Sequence, residues 1–82
     1  MSDEFILEKI RTIITSYTPL KPEDIKMDSH LTDELGLDSA DLLELVMTAE
    51  EQFGINIDDS IFEEVKTIKH IVDTIKESKI VN

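Results

Sequence analysis

The chain lacks cysteine and tryptophan altogether, and it has only two glycines and two prolines in 82 residues. Without cysteine it can build no disulfide framework, no thiolate nucleophile and no cysteine-based metal site. Aromatic residues make up 5% of the chain, so aliphatic side chains must fill its interior. Basic residues are scarce too. Eight lysines and arginines face 19 aspartates and glutamates, a formal net charge of −11. That balance excludes nucleic acid and anionic membrane surfaces as expected partners. It favours proteins with basic patches, attracted over a distance and released as salt rises. No apolar run is long enough to span a bilayer. The start, "MSDEFILEKI", is acidic and lacks the basic region of a secretory signal. A soluble, cytoplasmic, monomeric protein is the expectation. The length fits a single domain over residues 1–82, burying about 60% of the surface its unfolded chain exposes. One core of that size leaves little room for a deep active site beside it.

What is present is helical patterning. In residues 3–17, "DEFILEKIRTIITSY", Phe5, Ile6, Ile10, Ile13, Ile14 and Tyr17 recur at three- and four-residue spacings. Ser2 or Asp3 can cap this helix, and Thr18-Pro19 ends it, because a residue before proline avoids helical angles. A long connection, residues 18–38, follows. It carries its own apolar anchors in Leu20, Ile25, Met27, Leu31, Leu35 and Leu37, and a single turn at "KPEDI" led by Pro22. Gly36 supplies a backbone angle that other residues resist. A second helix runs over residues 39–53, with Asp38 as cap, Asp41 completing a capping box and Phe53-Gly54 as its end. Ser60 and Glu63 form another capping-box pattern over a short helix, residues 60–65. Thr67 caps a last helix, residues 68–77, with Ile68, Ile71, Val72 and Ile75 on one face. "GINI" alternates but is too short to be read as a strand. The expected fold is all-α: a four-helix bundle, three helices long and one short, with a long first loop.

The second helix has more apolar surface than one core contact uses. At about 100° per residue, Leu42, Leu45, Val46, Ala49 and Phe53 share one arc, which must face the core. Ala40, Leu43 and Met47 gather elsewhere, roughly 100–160° from that arc's centre. Asp41, Glu44, Glu50 and Glu51 surround them. An apolar stripe inside an acidic ring has the composition of a docking face for a basic partner. The stripe begins beside Ser39. If Asp38 caps the helix, the Ser39 hydroxyl is free to face outward, near the positive end of the helix dipole. Spacing alone leaves open the other reading, in which Ser39 is the cap.

No catalytic constellation accompanies it. His30 and His70 are the only histidines, and neither lies in a nucleophile motif. "LGLDSAD" is not the glycine-flanked serine elbow of hydrolases. Two histidines forty residues apart do not make a metal site, and "NIDDSIFEE" lacks the glycine and ligand spacing of a calcium loop. The expectation is a non-enzyme with no dedicated metal.

The stretch "LGLDSADLLELVMTAEEQFGINIDD" resembles the signature region of acyl carrier proteins. Gly36, Asp38, Ser39, Asp41, Glu44, Leu45, Val46, Met47, Glu50, Glu51 and Phe53 fall in register with it. The helix lengths, the long first loop and the acidic balance agree over nearly the whole chain. The resemblance implies that Ser39 carries 4′-phosphopantetheine through a phosphodiester, with Gly36 and Asp38 shaping the attachment site. A phosphopantetheinyl transferase (holo-carrier synthase) would install it, and its thiol would hold acyl chains as thioesters. Asp38, Ala40, Asp41, Leu43, Glu44, Met47, Glu50 and Glu51 would form the recognition face for acyl-chain synthesising and transferring enzymes with basic docking patches. In this family the bundle can also open to shelter the acyl chain.

Three positions depart from the family pattern. Ala40 stands where leucine is common, Ala49 where a larger apolar residue is common, and Asp58 where proline is usual. Together they raise a specialised pathway beside the fatty-acid one. Two other readings stand: an aminoacyl, peptidyl or polyketide carrier, and an acidic helical docking module with no prosthetic group.

Overall fold

Each helix begins where a side chain can satisfy an orphan amide, in a computed structural model that describes residues 2–80, with backbone alone for Lys79 and Ile80. Ser2 takes the first cap: its hydroxyl accepts the Phe5 N–H at 3.2 Å and starts α1 (Asp3–Tyr17). Ile6, Leu7, Ile10, Ile13 and Ile14 form the buried face of α1. Phe5 does not belong to that face; it is exposed, with the Lys9 ammonium over its ring, and Leu7 is buried. At about 100° per residue, Leu7 lies nearer than Phe5 to the centre of the arc of Ile6, Ile10, Ile13 and Ile14, so the turn of the helix itself brings it to the core.

The connection from Thr18 to Asp38 is anchored as its leucines and Ile25 suggested. Ile25, Leu31, Leu35 and Leu37 are buried, and Leu20 and Met27 are half-buried against the core. Pro22 opens a short 3₁₀ turn (Pro22–Asp24), closed by the Asp24 carboxylate accepting the Lys21 N–H at 3.0 Å. Ser29 is the one polar side chain buried among the described residues. Its hydroxyl accepts the Lys26 N–H and donates to the Asp24 carbonyl.

α2 (Ser39–Phe53) ends at Gly54 and is followed by β1 (Ile55–Asn56), α3 (Ile61–Glu64), α4 (Ile68–Glu77) and β2 (Lys79–Ile80). β1 and β2 pair antiparallel, Ile55 opposite Ile80 and Asn56 opposite Lys79. "GINI" thus does form a strand, of two residues, because a tail segment distant in sequence supplies its partner. Helices still dominate, and four of them make the bundle among the described residues.

The start of α3 also differs from its capping-box reading. Ser60 makes no side-chain cap bond there. Asp58, two residues earlier, accepts the Ser60 N–H at 2.8 Å, and its carbonyl accepts the Ile61 N–H at 3.1 Å. An aspartate therefore starts this turn with a hydrogen bond, where a proline would start it with a fixed φ.

α1 packs against both α2 and α4. Ile6, Ile10 and Ile14 meet Leu45, Ala49, Ile68, Ile71, Val72 and Ile75 in one aliphatic cluster. Leu42 and Phe53, read as members of the α2 core arc, lie at its margins and are half-buried; Leu45, Val46 and Ala49 are its buried centre. The long loop is tied to the start of α4. The Ser29 and Met27 carbonyls accept the Ile68 and Lys69 N–H groups at 3.1 and 2.8 Å, and the Thr67 hydroxyl accepts that of His70. The orphan donors of α4 thus hold the loop down.

Candidate functional site

Gly36 turns the chain into α2. Its φ is +67°, and a Cβ added there would meet nothing within 4 Å, so the backbone angle, not space, requires glycine. The Gly36 N–H donates to the Thr32 carbonyl at 3.1 Å, and the Leu37 N–H to the Leu31 carbonyl at 2.8 Å. Leu37 is then buried and Asp38 arrives extended, with φ −99° and ψ −174°.

The question of which residue caps α2 is settled by two reciprocal bonds. The Asp41 N–H donates to Asp38 Oδ1 at 2.9 Å, and the Asp38 N–H donates to Asp41 Oδ2 at 3.1 Å. The Asp41 amide, then amide and side-chain contacts nearby, hold the Asp38 carboxyl below its usual range. Ser39 is therefore the first helical residue. It is exposed, and no hydrogen bond of its hydroxyl is found among the described residues. The unpaired amides expected beside Ser39 are partly engaged: Asp38 already accepts the Asp41 N–H.

Ser39 stands at the rim of an open groove of about 440 Å³. Leu31, Leu37, Leu42, Leu43, Phe62 and Val65 give it apolar walls, and Thr32 and Asp38 complete the lining. Phe62, on α3 and 38% exposed, is a wall residue that the sequence reading did not single out. Its position three residues after Asp59 carried no periodicity signal, because α3 is a single turn.

Along α2, Ala40 is exposed, Leu43 is 48% and Met47 56% exposed, and Glu44 and Glu51 are exposed beside them. The stripe of spare apolar surface is therefore real. Two of its acidic neighbours are used internally. Asp41 is half-buried: its carboxylate serves the cap, and its carbonyl accepts the Tyr17 hydroxyl at 2.8 Å. Glu50 is half-buried, with Oε2 accepting the Ile57 N–H at 2.9 Å. The Tyr17 contact ties α1 to the first turn of α2. Burial, with the charges of Asp41 and Glu44 added, pushes that phenol up to about 12. His30 lies exposed in the loop and His70 half-buried on α4, apart from Ser39 in the sequence and absent from the groove lining. Among the described residues no helix is long and apolar enough to cross a membrane.

The site is thus an exposed serine at the first position of α2, with Asp38 as the cap and an apolar groove beside it. Residues 8–75 match the family described as the phosphopantetheine attachment site. The acyl carrier protein of Campylobacter hominis is 39% identical over 71 residues, covering 87% of this chain and 90% of that protein. The acyl carrier protein of Coprothermobacter proteolyticus is 33% identical over 78 residues, covering 95% of each. The solution structure of the apo doublet acyl carrier protein from prodigiosin biosynthesis superposes with a TM-score of 0.78 at 25% identity. It covers 94% of this chain, which spans 37% of that longer one. The chain belongs to the acyl carrier protein family, and as a member it is a carrier that bears 4′-phosphopantetheine covalently. Proteins of this family carry rather than catalyse, and they interact with a phosphopantetheinyl transferase and with synthesis enzymes.

Proposed function

We propose that Ser39 Oγ is the attachment point, and that the chain, acting as one carrier domain, presents acyl intermediates to partner enzymes without catalysing a step itself. The observation that carries this is the division of labour at the start of α2: Asp38 and Asp41 cap the helix, and the Ser39 hydroxyl is left exposed. A transferase would form the bond from Ser39 Oγ to the phosphate of the pantetheine half of coenzyme A. The pyrophosphate link would break, adenosine 3′,5′-bisphosphate would leave with the bonding electrons, and the hydroxyl proton would be lost. The prosthetic group supplies the terminal thiol, which this cysteine-free chain lacks.

The residues around Ser39 have separable tasks in this reading. Gly36 and Leu37 fix where α2 begins. The carboxylates of Asp38 and Asp41 repel an anionic phosphodiester and keep it off the helix end, so that the group projects outward. The groove walls offer apolar surface beside the attachment point. Ala40, Leu43, Met47, Glu44 and Glu51 form the face that basic enzymes would meet, the charges steering encounter and the apolar stripe setting register. Ala40 is a smaller anchor than the leucine usual there, and one structural relative comes from prodigiosin biosynthesis. Those two observations support a specialised cargo beside a fatty-acyl one.

The test is direct. The apo protein is incubated with coenzyme A and a broad-specificity transferase and weighed intact, beside Ser39→Ala. The expected result is one phosphopantetheine adduct on the wild type and none on the variant. An adduct that survives Ser39→Ala would falsify the assignment.

A further inference from the structure

Glu50 belongs by position to the acidic ring of α2, yet its geometry separates it from that ring. Glu44 and Glu51 are exposed, and no hydrogen bond of either carboxylate is found among the described residues. Glu50 is half-buried, and its Oε2 accepts the N–H of the buried Ile57, seven residues on, at 2.9 Å. Between the two lie the left-handed turn at Gly54 and β1. Directly after Ile57, Asp58 starts the turn into α3, which brings Phe62 and Val65 to the groove at Ser39. One carboxylate thus connects the last turns of α2 to the entry of α3.

We infer that Glu50 is a positioning residue: it holds the α2–α3 connection, sets the α3 wall of the groove, and is not a charge that partner enzymes read. A carboxylate accepting a backbone N–H is a strong, directional bond, and removing the acceptor leaves a part-buried donor unsatisfied. A glutamine at this position keeps a carbonyl acceptor and loses only the charge. A recognition charge and a structural acceptor therefore respond oppositely to the same substitution. The functional half of the inference rests on the attachment at Ser39; the structural half does not.

The test compares full-length Glu50→Gln, Glu50→Ala and Glu51→Gln with the wild type. Hydrogen exchange is read at the Ile57 amide, and kcat and KM are read for phosphopantetheine loading by the transferase. Glu50→Ala is expected to speed Ile57 exchange about tenfold and to slow loading. Glu50→Gln is expected to restore both to within about twofold of wild type, since the acceptor is kept. Glu51→Gln is expected to raise KM while leaving Ile57 exchange unchanged. Unchanged Ile57 exchange in Glu50→Ala overturns the inference. So does a Glu50→Gln protein with wild-type exchange and a KM raised like that of Glu51→Gln. If Glu50→Ala does not fold, those two readings of Glu50→Gln still decide. If the wild type is never loaded, the Ser39 assignment falls, and Ile57 exchange alone decides the role of Glu50.

Discussion

At the scale of single residues, the site depends on which side chains are already committed. Asp38 spends its carboxylate on the Asp41 amide, and that leaves Ser39 uncommitted. Tyr17 is the other committed residue near the site. Its hydroxyl donates to the Asp41 carbonyl, and burial raises its pKa to about 12 from 10.0. The folded state therefore holds this proton more tightly than the unfolded chain does. The contribution is complete below pH 10 and fades as pH rises toward 12. Tyr17 is the only tyrosine and there is no tryptophan, so tyrosinate absorbance reports this group alone. A titration midpoint well above that of free tyrosine is expected, and a midpoint near 10 would contradict the buried, bonded phenol. Tyr17→Phe should cost about 1 kcal/mol in denaturant unfolding, the worth of one ordinary hydrogen bond.

At the scale of elements, the helix starts carry the most information. Gly36→Ala meets no neighbour but must adopt φ +67°. It should destabilise the fold by about 1 kcal/mol, lowering the thermal midpoint by several degrees with little change in helix content. Asp38→Ala should fray the start of α2, lower the melting temperature and slow loading at Ser39. The pH dependence has a definite sign. The Asp38 pKa is lowered by folding, chiefly through the Asp41 amide. Its stabilisation is present above the ordinary value of 3.8 and is lost as pH falls through the lower, folded one. The gap in melting temperature between wild type and Asp38→Ala should therefore be full at neutral pH and close in acid. A gap that widens in acid would contradict the cap. Helices α1, α2 and α4 were legible in the sequence because each has a long periodic face and a local cap. The cap of α2 was legible for the same reason, with Asp38 and Asp41 three residues apart. The β1–β2 pair was not, since its partners lie about 25 residues apart and each is too short to show a period. The internal roles of Glu50 and Asp58 were not legible either. Each depends on where a neighbouring loop returns, which composition and spacing do not encode.

At the scale of the whole molecule, charge and core pull in opposite directions. An aliphatic cluster running from Ile6 to Ile75 holds together a chain of net charge −11. The three lysine and arginine ion pairs among the described residues are solvent-exposed to varying degrees, and the pair from Lys76 to Asp3 joins α4 to the start of α1. Such pairs contribute little individually, so most of the excess acid is unbalanced. Moderate salt or magnesium should therefore raise the melting temperature by screening the repulsion, and a flat or falling melting curve across a salt titration would contradict that. The same charge serves encounter with basic enzymes, so loading should slow as salt rises while stability improves. The central claim, that the exposed hydroxyl of Ser39 bears the phosphopantetheine group, is tested most directly on protein purified from its own cell. Intact mass followed by peptide mapping should place one phosphopantetheine, free or acylated, on the peptide containing Ser39. Unmodified protein throughout, or the group on a different residue, would contradict it.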